Sequence, residues 1–373
     1  MDKKIIEGFK SIAPYSEDQV LASLKWLETN DEFINTIQFF YPKWTKNNIV
    51  TKLKECKSCY DFQVTFVRDI ANKSINETMT SFEVTGLKEL KKPNNLIISN
   101  HRDIFLDSAL LQNSLLEMDM PFTEISLGDN LIVNETMKAV AKLNNMYTVL
   151  RTGNKSEMLS NVKNLSNYLR YSITHKKVSS WIAQKNGRAK DGNDITAPGF
   201  IKMLLLSGGN DLKESIRELN IVVSTISYEY EPCAFEKATE LSMIEKEGVY
   251  KKRPFENIYS LVNGIKDEKG AVKFVFEELN IDTIEFVNHT KKDVISVANE
   301  IDRIVYKNYQ LRKTNYIAHD LLYNSHKFRH HYTQKEVKDF KKYLSRASNE
   351  DIYHRVLKMY VTPIHNKEKV EII

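Results

Sequence analysis

Four polar clusters, each closing a short apolar run, hold the side chains best suited to chemistry. The run 96–99 opens onto Asn100, His101, Arg102, Asp103 and, a little further on, Asp107; the run 122–127 opens onto Gly128, Asp129 and Asn130. The run 146–150 is followed by Arg151, and 178–184 by Lys185, Asn186, Gly187, Arg188, Ala189, Lys190, Asp191 and Gly192. An imidazole beside a carboxylate has what a general base needs near neutral pH, because the carboxylate fixes the ring tautomer and stabilises its cation. Either Asp103 or Asp107 could play that part toward His101. No G-x-S-x-G elbow occurs, so a serine nucleophile of the hydrolase type is not expected. A base without a protein nucleophile suits deprotonation of a substrate hydroxyl or amine, which then attacks an activated carbonyl. Arg151, Arg188 and Lys190 add phosphate-type recognition, since guanidinium forks match phosphate oxygens in pairs. Gly187 and Gly192 let backbone amides come close to an anion. Neither a G-x-x-x-x-G-K-[ST] nor a G-x-G-x-x-G loop is present, which argues against a nucleotide phosphate loop.

These clusters form one site only if the runs before them are parallel strands of one sheet, because ligands of such sheets collect outside the carboxyl ends of the strands. The sequence predicts strands at 82–84, 96–99, 122–127, 146–150, 178–184, 221–230 and 272–276, with helices at 107–117, 135–143, 156–171 and 199–206. In the third of these helices Met158, Leu159, Val162, Leu165 and Leu169 share a face. Alternation of this kind predicts right-handed crossovers and an α/β fold: a largely parallel mixed sheet with helices on both faces. Helical patterns flank it. Ser16 and Gln19 form a capping box ahead of Val20, Leu24 and Leu27, and Val294, Val297, Ile301 and Ile304 make an inner face beyond residue 285. The expected organisation is an N-terminal helical segment (1–78), an α/β domain (79–285) and a C-terminal helical tail (286–373).

The 373 residues carry 54 Lys and Arg against 49 Asp and Glu, a net +5 that is too small for a polycationic nucleic-acid coat. Residues 1–325 balance at 43 basic and 43 acidic, so the excess lies beyond them, with Lys327, Arg329, Lys335, Lys338, Lys341 and Lys342 placed to meet anionic headgroups. Within the neutral body, residues 151–190 hold nine basic residues and one acidic, Glu157. No run nears the 18 apolar residues of a membrane span and no signal-peptide core is seen, so a cytoplasmic chain, peripheral on the inner membrane face, is expected. Cys56 and Cys59 form a C-x-x-C without a second ligand pair, and His326, His330 and His331 lack acidic or Cys partners at metal spacing, so no metal site is expected. No nucleic-acid reader motif is present.

The run Ser99-Asn100-His101-Arg102-Asp103-Ile104-Phe105-Leu106-Asp107, then Gly128-Asp129-Asn130-Leu131, Arg151, Gly187-Arg188-Ala189-Lys190-Asp191-Gly192 and Ile226-Ser227-Tyr228-Glu229 resembles the ordered blocks of glycerolipid acyltransferases. The resemblance covers residues 95–235 and points to the glycerol-3-phosphate and 1-acylglycerol-3-phosphate acyltransferase superfamily, in its bacterial PlsB-like branch. It implies that His101 takes the acceptor's proton with Asp107 orienting it, and that Gly128, Asp129, Asn130, Arg151, Gly187, Arg188 and Lys190 bind substrate, the basic ones holding a phosphate. It implies no cofactor beyond an acyl donor substrate, a thioester on coenzyme A or on acyl carrier protein, and a phospholipid surface and that carrier as partners in phospholipid biosynthesis. Five residues separate His101 from Asp107 where the family has four, a change that rotates a helix by about 100°. Asp107 therefore serves only if a bulge or a later helix start absorbs the extra residue, with Asp103 as the alternative. Lys185 and Asn186 stand where the family has a glutamate. An acceptor such as an amino-acid lipid, or a non-catalytic lipid-binding relative, are the alternative expectations.

Overall fold

The structure, a computed structural model, describes residues 3–371 apart from Glu89, Lys91, Pro93, Asn288 and His289, none of them a candidate site residue. Helices come first: α1 (Lys3–Phe9), α2 (Glu17–Leu27), α3 (Asp31–Phe40), α4 (Lys46–Glu55), α5 (Cys59–Phe62) and α6 (Arg68–Thr78). Strands and helices then alternate through β1 (Met79–Thr85), β2 (Leu96–Ser99), α7 (Leu106–Glu117), β3 (Glu124–Gly128), α8 (Glu135–Leu143), β4 (Met146–Val149), α9 (Lys155–Tyr171) and β5 (Ser180–Ala183). They continue with α10 (Pro198–Leu205), α11 (Leu212–Arg217), β6 (Ile221–Tyr228), α12 (Ala234–Glu247), α13 (Glu256–Lys266) and β7 (Gly270–Glu278). Four more helices follow, α14 (Thr290–Asn308), α15 (Lys313–Leu322), α16 (Gln334–Leu344) and α17 (Glu350–Glu371).

The fold is mixed α/β. Among the described residues the strands make a seven-stranded sheet in the order β1-β7-β6-β2-β5-β3-β4. Strands β2 to β6 are mutually parallel; β7 pairs antiparallel with β6, and β1 pairs parallel with β7. Every residue of β2 and β6 is buried, as expected of central strands covered on both faces, whereas β7 alternates. Alternate residues of the same strand feed two cores. Leu96 and Ile98 join α9, α10 and α14 on one face, while Ile97 packs with Leu106, Leu110 and Leu111 of α7 on the other.

Each of the seven expected strands forms, but 178–184 is trimmed to Ser180–Ala183. A π-helical turn, Ser172–Lys176, prolongs α9, Lys177 turns left-handed at φ 57°, and the Val178 amide donates back to the Ser172 carbonyl. Helices α2 to α5 share a core of their own with Ala139 and Leu143 of α8. Lys142 ties them down, its Nζ donating to the Ile12 and Ala13 carbonyls and to Thr148 Oγ1 at 2.8–2.9 Å. At the other end, α15, α16 and α17 pack with Ala234 and Ala238 of α12 around a fourth core. The residues after 313 are thus built onto the sheet domain rather than trailing from it. No helix among the described residues is long and apolar enough to cross a membrane.

Candidate functional site

Strands β2, β5, β3 and β4 are neighbours and parallel, so their carboxyl ends lie along one edge of the sheet. His101, the 184–196 loop, Gly128 to Asn130 and Arg151 all emerge there. At the usual strand spacing β2 and β4 stand roughly 14 Å apart. The edge therefore fits an extended substrate better than a compact one.

His101 and Asp107 meet despite their spacing. Residues 101–105 are not helical, and α7 begins only at Leu106, so the extra residue lies in a loop and never rotates a helix. Asp107 Oδ2 sits 2.8 Å from His101 Nδ1 and accepts the backbone amides of Arg102 at 2.6 Å and Asp103 at 2.9 Å. Asp107 Oδ1 accepts the Tyr228 hydroxyl at 2.8 Å. Burial alone would raise the Asp107 pKa, but the hydrogen bond and charge of His101, with the two amides, outweigh it and hold it below the ordinary carboxylate range. Tyr228 is fully buried, and burial beside the Asp107 and Asp103 charges drives its pKa well up, so its hydroxyl stays a donor. An ionised Asp107 fixes the proton on Nδ1 and leaves Nε2 as the ring atom able to accept one. The His101 ring also meets Trp181 edge to face, centroids 5.6 Å apart.

Asp103 does a different job. Its Oδ1 accepts the amides of Phe105 and Leu106 at 2.9 and 2.8 Å, capping the start of α7. Burial first, and the neighbouring Asp107 charge second, raise its pKa. Its other oxygen is buried without a partner against Gly264 of α13.

Arg102 anchors the loop from below. It is 1% exposed, and its guanidinium reaches Glu231 at 3.0 Å, Asp194 and the Gly192 carbonyl at 3.2 Å. Lys237, also buried, donates to Glu231 and to the Arg102 carbonyl, both at 2.6 Å. Burial pulls the Arg102 pKa down, but the charges of Asp194 and Glu231 hold it well above its usual range. Asn100 Nδ2 also reaches Asp194 at 3.1 Å, and the Ala189 amide donates to the His101 carbonyl at 2.8 Å. The His101 loop is thereby bound to the 184–196 loop and to the end of β6. Asp194, Glu231 and Lys237 stand just past the sequence blocks, and only their nearness to strand ends could have singled them out.

The expected anion-binding residues fall into two groups. Arg151 stacks on Gly128; its amide donates to Asp129 at 3.1 Å and its Nη1 to Asn130 at 3.1 Å. Arg188, in the loop after β5, lies near Asp103, Cys233 and Lys252, and its Nη1 is buried without a partner. Lys190 is paired with Glu240 at 2.5 Å. Gly187 has φ +76° with open space above it, whereas Gly192 at φ +77° presses against the Met359 carbonyl of α17. Lys185, in the place of the family glutamate, turns into its own loop and donates to the Asn193 carbonyl. Cys56 and Cys59 are free thiols, and burial raises both pKa values, Cys59 to about 11. His331 stacks on Tyr316 at 4.0 Å in a 3-10 turn.

No protein-family model matches the chain, and no curated protein matches it. Among solved structures it is similar to the 1-acyl-sn-glycerophosphate (LPA) acyltransferase PlsC from Thermotoga maritima, with 12% identity and a TM-score of 0.38 over 76% of this chain and 94% of that one. It is also similar to chloroplast FtsY from Physcomitrella patens, with 12% identity and a TM-score of 0.22 over 80% of this chain and 99% of that one. Both scores are below 0.5, so the chemistry of the edge stands on its own residues.

Proposed function

We propose that the chain is an O-acyltransferase that moves an acyl group from a thioester, on coenzyme A or acyl carrier protein, to a hydroxyl of glycerol 3-phosphate or a lysophosphatidate. The observation that carries this is the His101–Asp107 pair, oriented by Tyr228 and two backbone amides at the carboxyl edge of the sheet. His101 Nε2 takes the acceptor's proton as its oxygen attacks the thioester carbonyl. The C–O bond forms, the C–S bond breaks, and the imidazolium returns the proton to the departing thiolate. The buried, ionised Asp107 steadies the imidazolium in between, so no protein nucleophile is needed. Arg188, with one guanidinium nitrogen buried and unpartnered near the loop, and Arg151, held by Asp129 and Asn130, are the groups to receive acceptor and donor phosphates. Two separated basic groups suit two anionic substrates better than one.

The purified chain, given acyl-CoA or acyl carrier protein thioesters and glycerol 3-phosphate, should release free thiol. His101→Ala should lower kcat/KM by about 10²–10⁴-fold, the usual worth of a positioned general base. Activity surviving within tenfold of wild type would sink the assignment. Turnover confined to an amino-acid lipid would move the acceptor and keep the mechanism.

A further inference from the structure

We propose that residues 249–259, the link from α12 together with the first turn of α13, form the surface through which this chain docks on an anionic phospholipid bilayer. Four apolar side chains stand out from this one stretch: Val249, Phe255, Ile258 and Tyr259 are 56%, 69%, 38% and 65% exposed. Lys251, Lys252 and Arg253 lie exposed among them. Phe255 holds φ +63°, a left-handed backbone that bulky residues rarely adopt, yet its side chain stays mostly exposed. The segment's acid, Glu256, is taken up locally by the Tyr250 hydroxyl at 2.6 Å and the Arg253 amide at 3.0 Å. Aromatic tips ringed by Lys and Arg fit the interface of a negatively charged membrane, where rings sink to headgroup depth and cations meet phosphates.

The segment also borders the candidate site. Lys252 lies near enough to Arg188 and Lys190 to feel their charge, and Gly264, further along α13, backs onto Asp103. A bilayer seated here would lie beside the edge where His101 emerges. The basic stretch near the C-terminus lacks half of these features. Lys335, Lys338, Lys341 and Lys342 are exposed, but α16 turns Phe340 and Leu344 inward, and no large apolar side chain is exposed among the described residues after Tyr323. That face can attract a membrane but has nothing to insert.

This inference deepens the lipid-acylation reading and rests on it for its purpose, yet its test needs no turnover. The full chain should co-float with phosphatidylglycerol vesicles, less so at high salt, and leave pure phosphatidylcholine vesicles largely unbound. Replacing Phe255→Ser with Tyr259→Ser should weaken partitioning by about tenfold or more. Lys251→Glu with Arg253→Glu, which touches no apolar contact, should abolish the preference for anionic lipid. The quadruple change of Lys335, Lys338, Lys341 and Lys342 to Gln should leave most binding in place. The proposal is overturned if wild type ignores anionic vesicles, if both 249–259 variants bind as wild type, or if the aromatic pair proves instead to mediate self-association in sedimentation. Thioester turnover measured in parallel keeps the two ideas apart. A chain that docks but never acylates upholds this surface and removes the enzymatic reading.

Discussion

Both oxygens of Asp107 are occupied, by four donors from two segments of the chain: His101 with the amides of Arg102 and Asp103, and the Tyr228 hydroxyl. Asp107→Asn would keep the size but give up the charge, and its NH2 would face a donor. The imidazole then loses both its fixed tautomer and the stabilisation of its cation. We expect kcat/KM to fall by about 10²–10⁴-fold with KM little changed, checked by steady-state kinetics beside His101→Ala. The pH dependence of stability has a definite sign. A carboxylate held below its ordinary range stabilises the fold fully at neutral pH, and that contribution is lost as pH falls through the native value. Asp107→Asn should therefore flatten the acid limb of a denaturation profile. The sequence offered His101 two carboxylates, Asp103 and Asp107, but could not choose between them. The choice depends on where α7 begins, and a cap made by Asp103 leaves no mark in residue spacing alone.

At the scale of elements, Asp103 and α7 show a conflict that mutation can separate. The carboxylate caps the helix through Phe105 and Leu106, but its charge is buried beside Asp107, which raises its pKa. A raised carboxyl loses stability as pH climbs from its unfolded value through its native one. Asp103→Ala discards the cap and should cost about 1 kcal/mol. Asp103→Asn keeps an acceptor for both amides and removes the charge, so it should match or exceed wild-type stability at pH 7. Urea melts of the two variants check this, and an Asn variant weaker than the Ala one would refute it. The strands were legible because central parallel strands are continuous apolar runs, as β2 and β6 are. The direction of β7 was not, since an alternating strand can pair either way. Nor was the π-helical turn at Ser172–Lys176, which shortens β5 through tertiary fit rather than local composition.

Over the whole molecule, charge and contact tell different stories about the residues after 313. Counting charges marks them as a basic tail, whereas their apolar faces pack into a core with α12 and reach the candidate site. The contact is close: a Cβ on Gly192 would stand 2.1 Å from the Met359 carbonyl, while one on Gly187 would meet nothing. Both glycines have φ near +77°, at +77° and +76°. Gly187→Ala should therefore cost only the left-handed penalty, about 1–2 kcal/mol, and Gly192→Ala that penalty plus the clash. Calorimetry of the pair isolates the contact, and equal losses would show that α17 does not brace the loop. The sequence marked a helical tail and the loop after residue 184 but not their meeting, because residues 167 positions apart leave no trace of contact in a single sequence.

That meeting also sets an order of events during synthesis. Gly192 and the carbonyl of Gly192 that Arg102 holds are translated long before Met359, so the loop beneath His101 waits for its far neighbour. A chain emerging residue by residue can lay down the strands early, since they pair with one another. The loop beneath His101 gains its contact with Met359 only when α17 arrives. Nascent chains halted before that point should resemble the finished sheet and yet leave the loop that holds Arg102 without its brace from Met359.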